Sequence, residues 1–230
     1  MKKKIMEWYR TEQEKLASMS VKEKTAYIAE YYWLWILGIV GGAVLLGYMV
    51  YRANFTLKES WFYAVYANTT EDGGEGSQLW KDFEAYAGFD LTKKKLVMNA
   101  ESYFDPSITG GTNNSYFQAF VALVESGDLD VITMRPEGIE ALGVSGRLMD
   151  LTGADAGELG AQYTDRLIYA LPYDTDYSTE PVPIGIDISD SLLVTRYHLY
   201  EGECAIGISA YSGHPESVRQ FLKFILEEEA

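Results

Sequence analysis

The sequence predicts an α/β domain that follows one transmembrane helix. After residue 60, strand-like segments alternate with segments of helical periodicity. Before that point, residues 31–51 form an uncharged apolar run. These two observations predict four parts, which are an N-terminal segment over 1–30, a transmembrane helix over 31–51, a linker over 52–60 and an α/β domain over 61–230.

The apolar run, YYWLWILGIVGGAVLLGYMVY, contains no Asp, Glu, Lys, Arg, His, Asn, Gln or Pro. Its 21 residues would form a helix about 31 Å long, and the hydrocarbon core of a bilayer is roughly 30 Å thick. The alternative is a cleaved secretory signal, whose apolar region is shorter and ends at a small-x-small site. No such site follows the run, so residues 31–51 are predicted to remain as an uncleaved, single-pass anchor.

Basic residues predict the orientation of this anchor. Seven of them precede the run, whereas only Arg52 and Lys58 follow it closely. Because such an excess marks the cytoplasmic side, we expect the basic, amphipathic segment 1–30 to be cytoplasmic and the domain to lie outside. Within that segment, Ser20 and Glu23 fit a capping box that would begin a helix.

Gly38 and Gly42 form a G-x-x-x-G pattern inside the anchor. Such spacing lets two membrane helices approach closely and predicts a dimer through this face. Glycine is also common in membrane helices that do not pair. Both interpretations stay open at the level of the sequence.

Charge and cysteine content restrict what the domain can bind. Of 19 basic and 34 acidic residues, 8 and 5 respectively lie at or before Arg52, which leaves the rest of the chain with a net charge of −18. That charge argues against nucleic acid and anionic lipid as partners of the domain. Cys204 is the single cysteine, so no internal disulfide can form, and its apolar neighbours predict a buried structural thiol.

Strands are predicted over 61–67, 95–99 and 130–133, separated by helices over 78–87 and from Ser115, with a short helix following from Pro136 to Leu142. This alternation indicates a single three-layer domain with a largely parallel sheet covered by helices. The later segments 166–171, 182–188 and 204–210 are strand-like. Pro215 opens a last helix with a nearly ideal apolar stripe.

No motif for catalysis, a cofactor or a metal is found. His198 and His214 lack partners at the spacing of a triad or a zinc site. Residues 174–178 resemble the start of a calcium loop, but Thr179 replaces the turn glycine and Gly185 replaces the bidentate glutamate. We therefore predict a solvated acidic loop there, a protein that is not an enzyme, and no cofactor.

Four segments, in order, resemble parts of the bacterial extracellular solute-binding proteins of ABC transporters. They are FQAFVALVESGDLDVI at 117–132, GRLMDLT at 146–152, YALPY at 169–173, and IGISAYSGHPE at 206–216 with FLKF at 221–224. The resemblance implies one lobe of a periplasmic-binding-protein fold in the membrane of a bacterial cell. A membrane helix stands in place of the usual lipid-attached cysteine.

Two functions follow as hypotheses. The first is a membrane-anchored extracytoplasmic binding module that recognises a small molecule or a peptide. The second is a structural or assembly protein that docks another envelope or membrane protein. A cleft of about 300–1,000 Å³ at the strand ends would favour the first, and a flat apolar patch would favour the second.

Ligands of open α/β sheets sit beyond the carboxyl ends of the strands, where loops supply free polar groups. Polar side chains follow all three predicted parallel strands, and Tyr173 and Asp187 are expected to approach them from the later segments. The predicted ligand-binding set is Asn68, Thr69, Asn99, Ser102, Thr133, Arg135, Tyr173 and Asp187. Ordinary turn chemistry is the alternative, because Asn, Ser and Thr are common in loops.

Overall fold

The computed structural model describes residues 2–55, 59–106, 114–173 and 178–226. The chain divides into two compact units, Met1–Leu57 and Lys58–Ala230. Parts of the predicted linker 52–60 and most of the predicted acidic loop 174–178 lie outside the described residues. The two units are described separately below.

The N-terminal unit consists of three helices, α1 (Lys2–Ser18), α2 (Val21–Tyr31) and α3 (Trp33–Phe55). The predicted capping box is present at the start of α2. The Ser20 N–H donates to Glu23 Oε2 at 2.8 Å, and the Glu23 N–H donates to Ser20 Oγ at 3.4 Å. A bend at Tyr32 separates α2 from α3. The apolar helix therefore begins two residues later than predicted.

Glu12 of α1 forms hydrogen bonds with residues in and just after α2. Its Oε1 accepts hydrogen bonds from the hydroxyls of Tyr27 at 2.6 Å and Tyr32 at 2.8 Å. The hydrogen bond from Tyr27 is the main reason why the pKa of Glu12 is lowered. Because the three residues are distant in sequence, no local pattern predicts this contact.

Among the described residues, α3 is the one helix that is long and apolar enough to cross a membrane, over the 20 residues Trp33–Arg52. None of this stretch is buried within the chain. Gly38 and Gly42 lie on it with open space where a Cβ atom would stand. Dimerisation through these glycines stays a prediction.

The C-terminal unit contains one six-stranded sheet and six helices in its described part. Its strands are β1 (Ser60–Ala67), β2 (Lys95–Ser102), β3 (Val131–Met134), β4 (Leu167–Ala170), β5 (Val182–Asp187) and β6 (Ala205–Ile208). Its helices are α4 (Gln78–Ala87), α5 (Ser115–Glu125), α6 (Pro136–Val144), α7 (Leu159–Gln162), α8 (Leu192–Thr195) and α9 (Pro215–Ile225), with a 3₁₀ turn at Ala154–Ala156.

The strands lie in the order β2-β1-β3-β6-β5-β4. As predicted, β1, β2 and β3 are parallel. The other pairs, β3–β6, β6–β5 and β5–β4, are antiparallel, so the sheet is mixed rather than largely parallel. The connection between Ala170 and Val182 is too short for the helical crossover that a parallel pair needs.

Alternate residues of β1 enter two separate cores. Phe62 and Tyr66 belong to the core that contains side chains of α4 and α9. Val65 and Ala67 belong to the core that contains side chains of α5 and α6. Helices therefore cover both faces of the sheet, because the side chains of a strand point alternately to either side.

Helix α5 corrects one local prediction. Its N-cap is Asn114, whose side-chain oxygen accepts from the N–H groups of Tyr116 at 2.9 Å and Phe117 at 3.2 Å. The sequence also fits a cap by Ser115 with Gln118 three residues later, but Ser115 is the first helical residue. Asn and Ser are about equally good caps, so the residue types alone do not choose between them.

Candidate functional site

The predicted ligand-binding residues lie at two opposite ends of the sheet. We call the end at which β1, β2 and β3 finish the carboxyl end, and the opposite end the amino end. Asp187 lies at the carboxyl end, because it pairs with Ala205, which in turn pairs with Met134. Tyr173 follows β4, which runs the other way, and so lies at the amino end.

Seven of the eight predicted ligand-binding residues thus lie in or beyond the carboxyl half of the sheet, and Tyr173 does not join them. The placement of Tyr173 beside the others is therefore corrected. Its position follows from the antiparallel pairing of β4 with β5 and of β5 with β6, which directs the residues after β4 to the amino end. The predicted set is split between the two ends.

Most polar groups at the carboxyl end bind the chain's own backbone. The Asn68 amide donates to the Phe104 carbonyl at 2.8 Å and accepts from the Phe104 N–H at 3.1 Å. Thr69 is buried and donates to the Ala100 carbonyl at 3.1 Å. These side chains therefore close turns, as the alternative interpretation expects.

Three further predicted residues also form hydrogen bonds within the chain. Thr133 is fully buried, with its hydroxyl 2.7 Å from that of Tyr200. Asn99 and Ser102 lie within β2, which is longer than predicted, and Asn99 Oδ1 accepts from the Glu101 N–H at 2.9 Å. The Ser102 hydroxyl donates to Asn99 Oδ1 at 3.4 Å. Asn99 and Ser102 also line an open groove of about 520 Å³ beside α5.

Arg135 is the one cation of the predicted set, and its side chain is 71% exposed. Its guanidinium lies 3.7 Å from the Glu137 carboxylate and 3.9 Å from that of Glu203. It lines a small cleft of about 270 Å³ together with Asn68. Both ion pairs are solvent-exposed, so they contribute little to stability.

A more enclosed cleft lies at the amino end of the sheet. It has a volume of about 500 Å³ and is lined by Gly143, Gly146, Asp150, Tyr173 and Tyr211 among others. We call it the apolar cleft, because many of its lining side chains are hydrophobic. These are Val144, Leu148, Met149, Pro172, Val182 and Ile184.

Two backbone hydrogen bonds hold the lining of the apolar cleft in place. The Tyr173 N–H donates to the Val144 carbonyl at the end of α6 at 2.9 Å. The Ala210 N–H donates to the Arg147 carbonyl at 3.0 Å. The Tyr173 and Tyr211 side chains are 81% and 64% exposed, so their rings are available to a ligand.

A second cleft, of about 340 Å³, lies at the carboxyl end beside the start of β4. We call it the acidic cleft, because Asp165, Asp187 and Asp190 line it together with Arg166. The Arg166 guanidinium donates to Asp190 Oδ2 at 2.9 Å and lowers the pKa of that carboxyl. Within the described part of the chain, no group of three or more His, Cys, Asp or Glu residues is placed to hold a metal ion.

Asp130 forms a buried polar cluster that the sequence did not reveal. It accepts from the Tyr63 N–H at 2.8 Å and from the Ser212 hydroxyl at 2.6 Å, and His214 Nδ1 lies 3.1 Å from both its oxygens. Burial raises the pKa of Asp130, and these hydrogen bonds partly oppose that effect. Because the Ser212 hydroxyl donates to the carboxylate and not to the imidazole ring of His214, the arrangement is not a serine–histidine relay.

Cys204 is buried, as predicted. Burial raises the pKa of its thiol well above the ordinary value. A thiol that stays protonated is a poor nucleophile and a poor metal ligand.

No family model matches the chain, and neither a curated protein nor a solved structure does. Function is therefore inferred from the residues of the chain itself.

Proposed function

We propose that the protein is a single-pass membrane protein whose α/β domain binds a small molecule or a short peptide in the apolar cleft. The observation that carries this proposal is the size and lining of that cleft. Its volume of about 500 Å³ lies within the range of roughly 300–1,000 Å³ that is typical of ligand sites. Tyr173 and Tyr211 offer exposed rings at this site.

The lining favours a ligand with an apolar or flat part. Tyrosine rings stack on such groups and can also donate hydrogen bonds. The cleft includes the carboxylate of Asp150, and the domain as a whole is strongly acidic. A neutral or cationic ligand would therefore be preferred over an anionic one.

The sequence supports the family and the membrane location that we propose. Four ordered segments resemble solute-binding proteins of ABC transporters, which supports a one-lobe relative that binds without catalysing a reaction. The basic excess before α3 supports a cytoplasmic N-terminus and an extracytoplasmic domain in a bacterial cell membrane. The hydrophobic length of α3 supports the anchor.

Docking of another envelope or membrane protein is the second candidate. The observation in its favour is a set of large exposed apolar side chains at the amino end and along β4, namely Tyr169, Leu171, Tyr173 and Tyr211. Exposed apolar patches mark protein interaction sites when they are contiguous.

A ligand screen tests the first proposal. The full chain in nanodiscs would be screened by thermal shift against sugars, amino acids and short peptides. A ligand of the apolar cleft should raise the Tm of the wild type, but not that of the Tyr173→Ala/Tyr211→Ala double variant. Tyr103→Ala is the matched control, because Tyr103 is also exposed and does not line the apolar cleft.

A ligand that stabilises the double variant as strongly as the wild type would place the binding site elsewhere. If no ligand is found and a membrane protein co-purifies through Tyr173 and Tyr211, the docking function would be favoured instead.

A further inference from the structure

Strand β4 is an edge strand of the sheet, and among the described strands it pairs only with β5. Along and after it, exposed and buried residues alternate. Tyr169 and Leu171 are each 50% exposed and Tyr173 is 81% exposed, whereas Ala170 and Pro172 are buried. We call Tyr169, Leu171 and Tyr173 the edge row. An edge strand that carries a row of exposed apolar side chains is a template for another strand.

The two clefts lie at the two ends of this strand. Leu167 and Ile168, at its start, line the acidic cleft. Pro172 and Tyr173, just after its end, line the apolar cleft. At about 3.3 Å per residue, the stretch from Leu167 to Tyr173 is about 20 Å long. An extended peptide of similar length could therefore reach both clefts.

We propose that an extended basic peptide adds to β4 as an additional antiparallel strand. The apolar side chains in the amino-terminal part of the peptide contact the edge row and enter the apolar cleft. A Lys or Arg side chain near its carboxyl end enters the acidic cleft. This inference rests on the proposed function and names the ligand class.

Four physical arguments favour an extended basic peptide in this orientation. Strand addition supplies backbone hydrogen bonds, while pockets along the edge select side chains. The antiparallel direction is chosen because antiparallel pairs are slightly more stable per residue than parallel ones. The three aspartates of the acidic cleft outnumber its single arginine, which favours a cation. A second copy of this domain is disfavoured, because each copy carries a net charge of −18.

The test uses the full chain in phosphatidylcholine nanodiscs and the peptide acetyl-Leu-Tyr-Thr-Val-Thr-Lys-Arg-amide. We expect the peptide to bind and to slow hydrogen exchange of the backbone amides in β4. Amides of β2, the other edge strand, should exchange as before. The peptide of reversed sequence and a copy N-methylated at alternate residues should bind at least tenfold more weakly, because they lose the order of side chains or the backbone donors.

Charge reversal tests the acidic cleft. Asp165→Lys should weaken peptide binding by about fivefold, since exposed ion pairs are individually weak, and the effect should shrink at high salt. Glu75→Lys makes the same charge change at an exposed residue that does not line the acidic cleft, so it should leave the affinity unchanged.

Several results would overturn the inference. One is that neither the peptide nor its controls bind the wild type. Another is that the peptide binds and depends on Tyr173 and Tyr211 but leaves the exchange of β4 unchanged. That second result would retain the ligand function of the apolar cleft while removing strand addition. Protection of β4 without peptide, in a chain that dimerises through its soluble domain, would assign the edge to a second copy.

Discussion

Asp130 is fully buried and joins three segments of the C-terminal unit through one carboxylate. Replacing it with Ala would leave the Tyr63 N–H, the Ser212 hydroxyl and His214 Nδ1 without this acceptor. We expect a loss of about 1–3 kcal/mol in the free energy of unfolding, because unpaired buried polar groups are costly. Asp130→Asn keeps one acceptor and should lose less. Chemical denaturation would measure both losses, and equal stability of all three proteins would contradict this role.

The same residue predicts a pH dependence. Because the pKa of Asp130 is raised in the folded chain, the folded state binds this proton more tightly than the unfolded state does. As pH rises from the ordinary value of 3.8 through the folded pKa, the wild type should lose stability relative to Asp130→Asn. Denaturation midpoints of the two proteins across this range would measure the difference. If the wild type instead gained stability relative to Asp130→Asn as pH rises, the expected sign of the pH dependence would be wrong.

Asn68 combines a positive φ of 59° with two hydrogen bonds to the backbone of Phe104. Asn68→Gly removes both hydrogen bonds, but glycine adopts a positive φ without steric cost. Asn68→Ala removes both bonds and adds backbone strain at this φ. We expect both variants to be destabilised by about 1–3 kcal/mol, with Ala the worse of the two. Thermal unfolding would measure this order. A stable Asn68→Ala variant would show that the turn does not depend on the side chain.

Helix α9 is the element that closes one core. Phe221 is fully buried, and its ring centroid lies 4.9 Å from that of Phe62 and 5.1 Å from that of Phe83. Phe221→Ala should cost about 3–5 kcal/mol through lost burial and the cavity left behind. Gln220→Ala, at an exposed position of the same helix, should change stability by less than about 0.5 kcal/mol. Unchanged unfolding of Phe221→Ala would show that α9 is peripheral.

Helix α6 approaches the sheet closely because residue 143 is glycine. A Cβ atom there would stand 2.5 Å from Ile184 Cγ1 and 2.8 Å from Ala170 Cβ. Gly143→Ala should therefore cost about 1–3 kcal/mol by overpacking, despite the better helix propensity of alanine. Since Gly143 also lines the apolar cleft, the variant should alter ligand affinity as well. A more stable variant would mean that α6 can move away from the sheet freely.

At the scale of the whole molecule, the distribution of charge predicts the topology. In a Cys204→Ala background, an impermeant maleimide applied to intact cells should label Glu75→Cys and not Ser18→Cys. Both positions are exposed, so accessibility within the protein does not explain a difference. Permeabilised cells provide the control, in which both should react. Labelling of Ser18→Cys alone in intact cells would reverse the predicted orientation.

Local patterns predicted much of the fold. The length and composition of the apolar run predicted α3, and Ser20 with Glu23 predicted the start of α2. Strands β1 to β3 and the start of α9 at Pro215 were predicted to within a residue or two at most boundaries. These features depend on periodicity, capping and hydrophobic length, which neighbouring residues determine by themselves.

Only the tertiary structure decided the direction of β4, β5 and β6 and the contacts between distant residues. Antiparallel pairing moved Tyr173 to the amino end, where it shares the apolar cleft with Tyr211. Asp130 and His214 meet although 84 residues separate them. Such contacts depend on which strand edges and loops come together after the chain folds, and the residue types near either partner carry no signal of the other. For this reason the sequence predicted the anchor and most elements of the domain, whereas the candidate binding cleft emerged only from their packing.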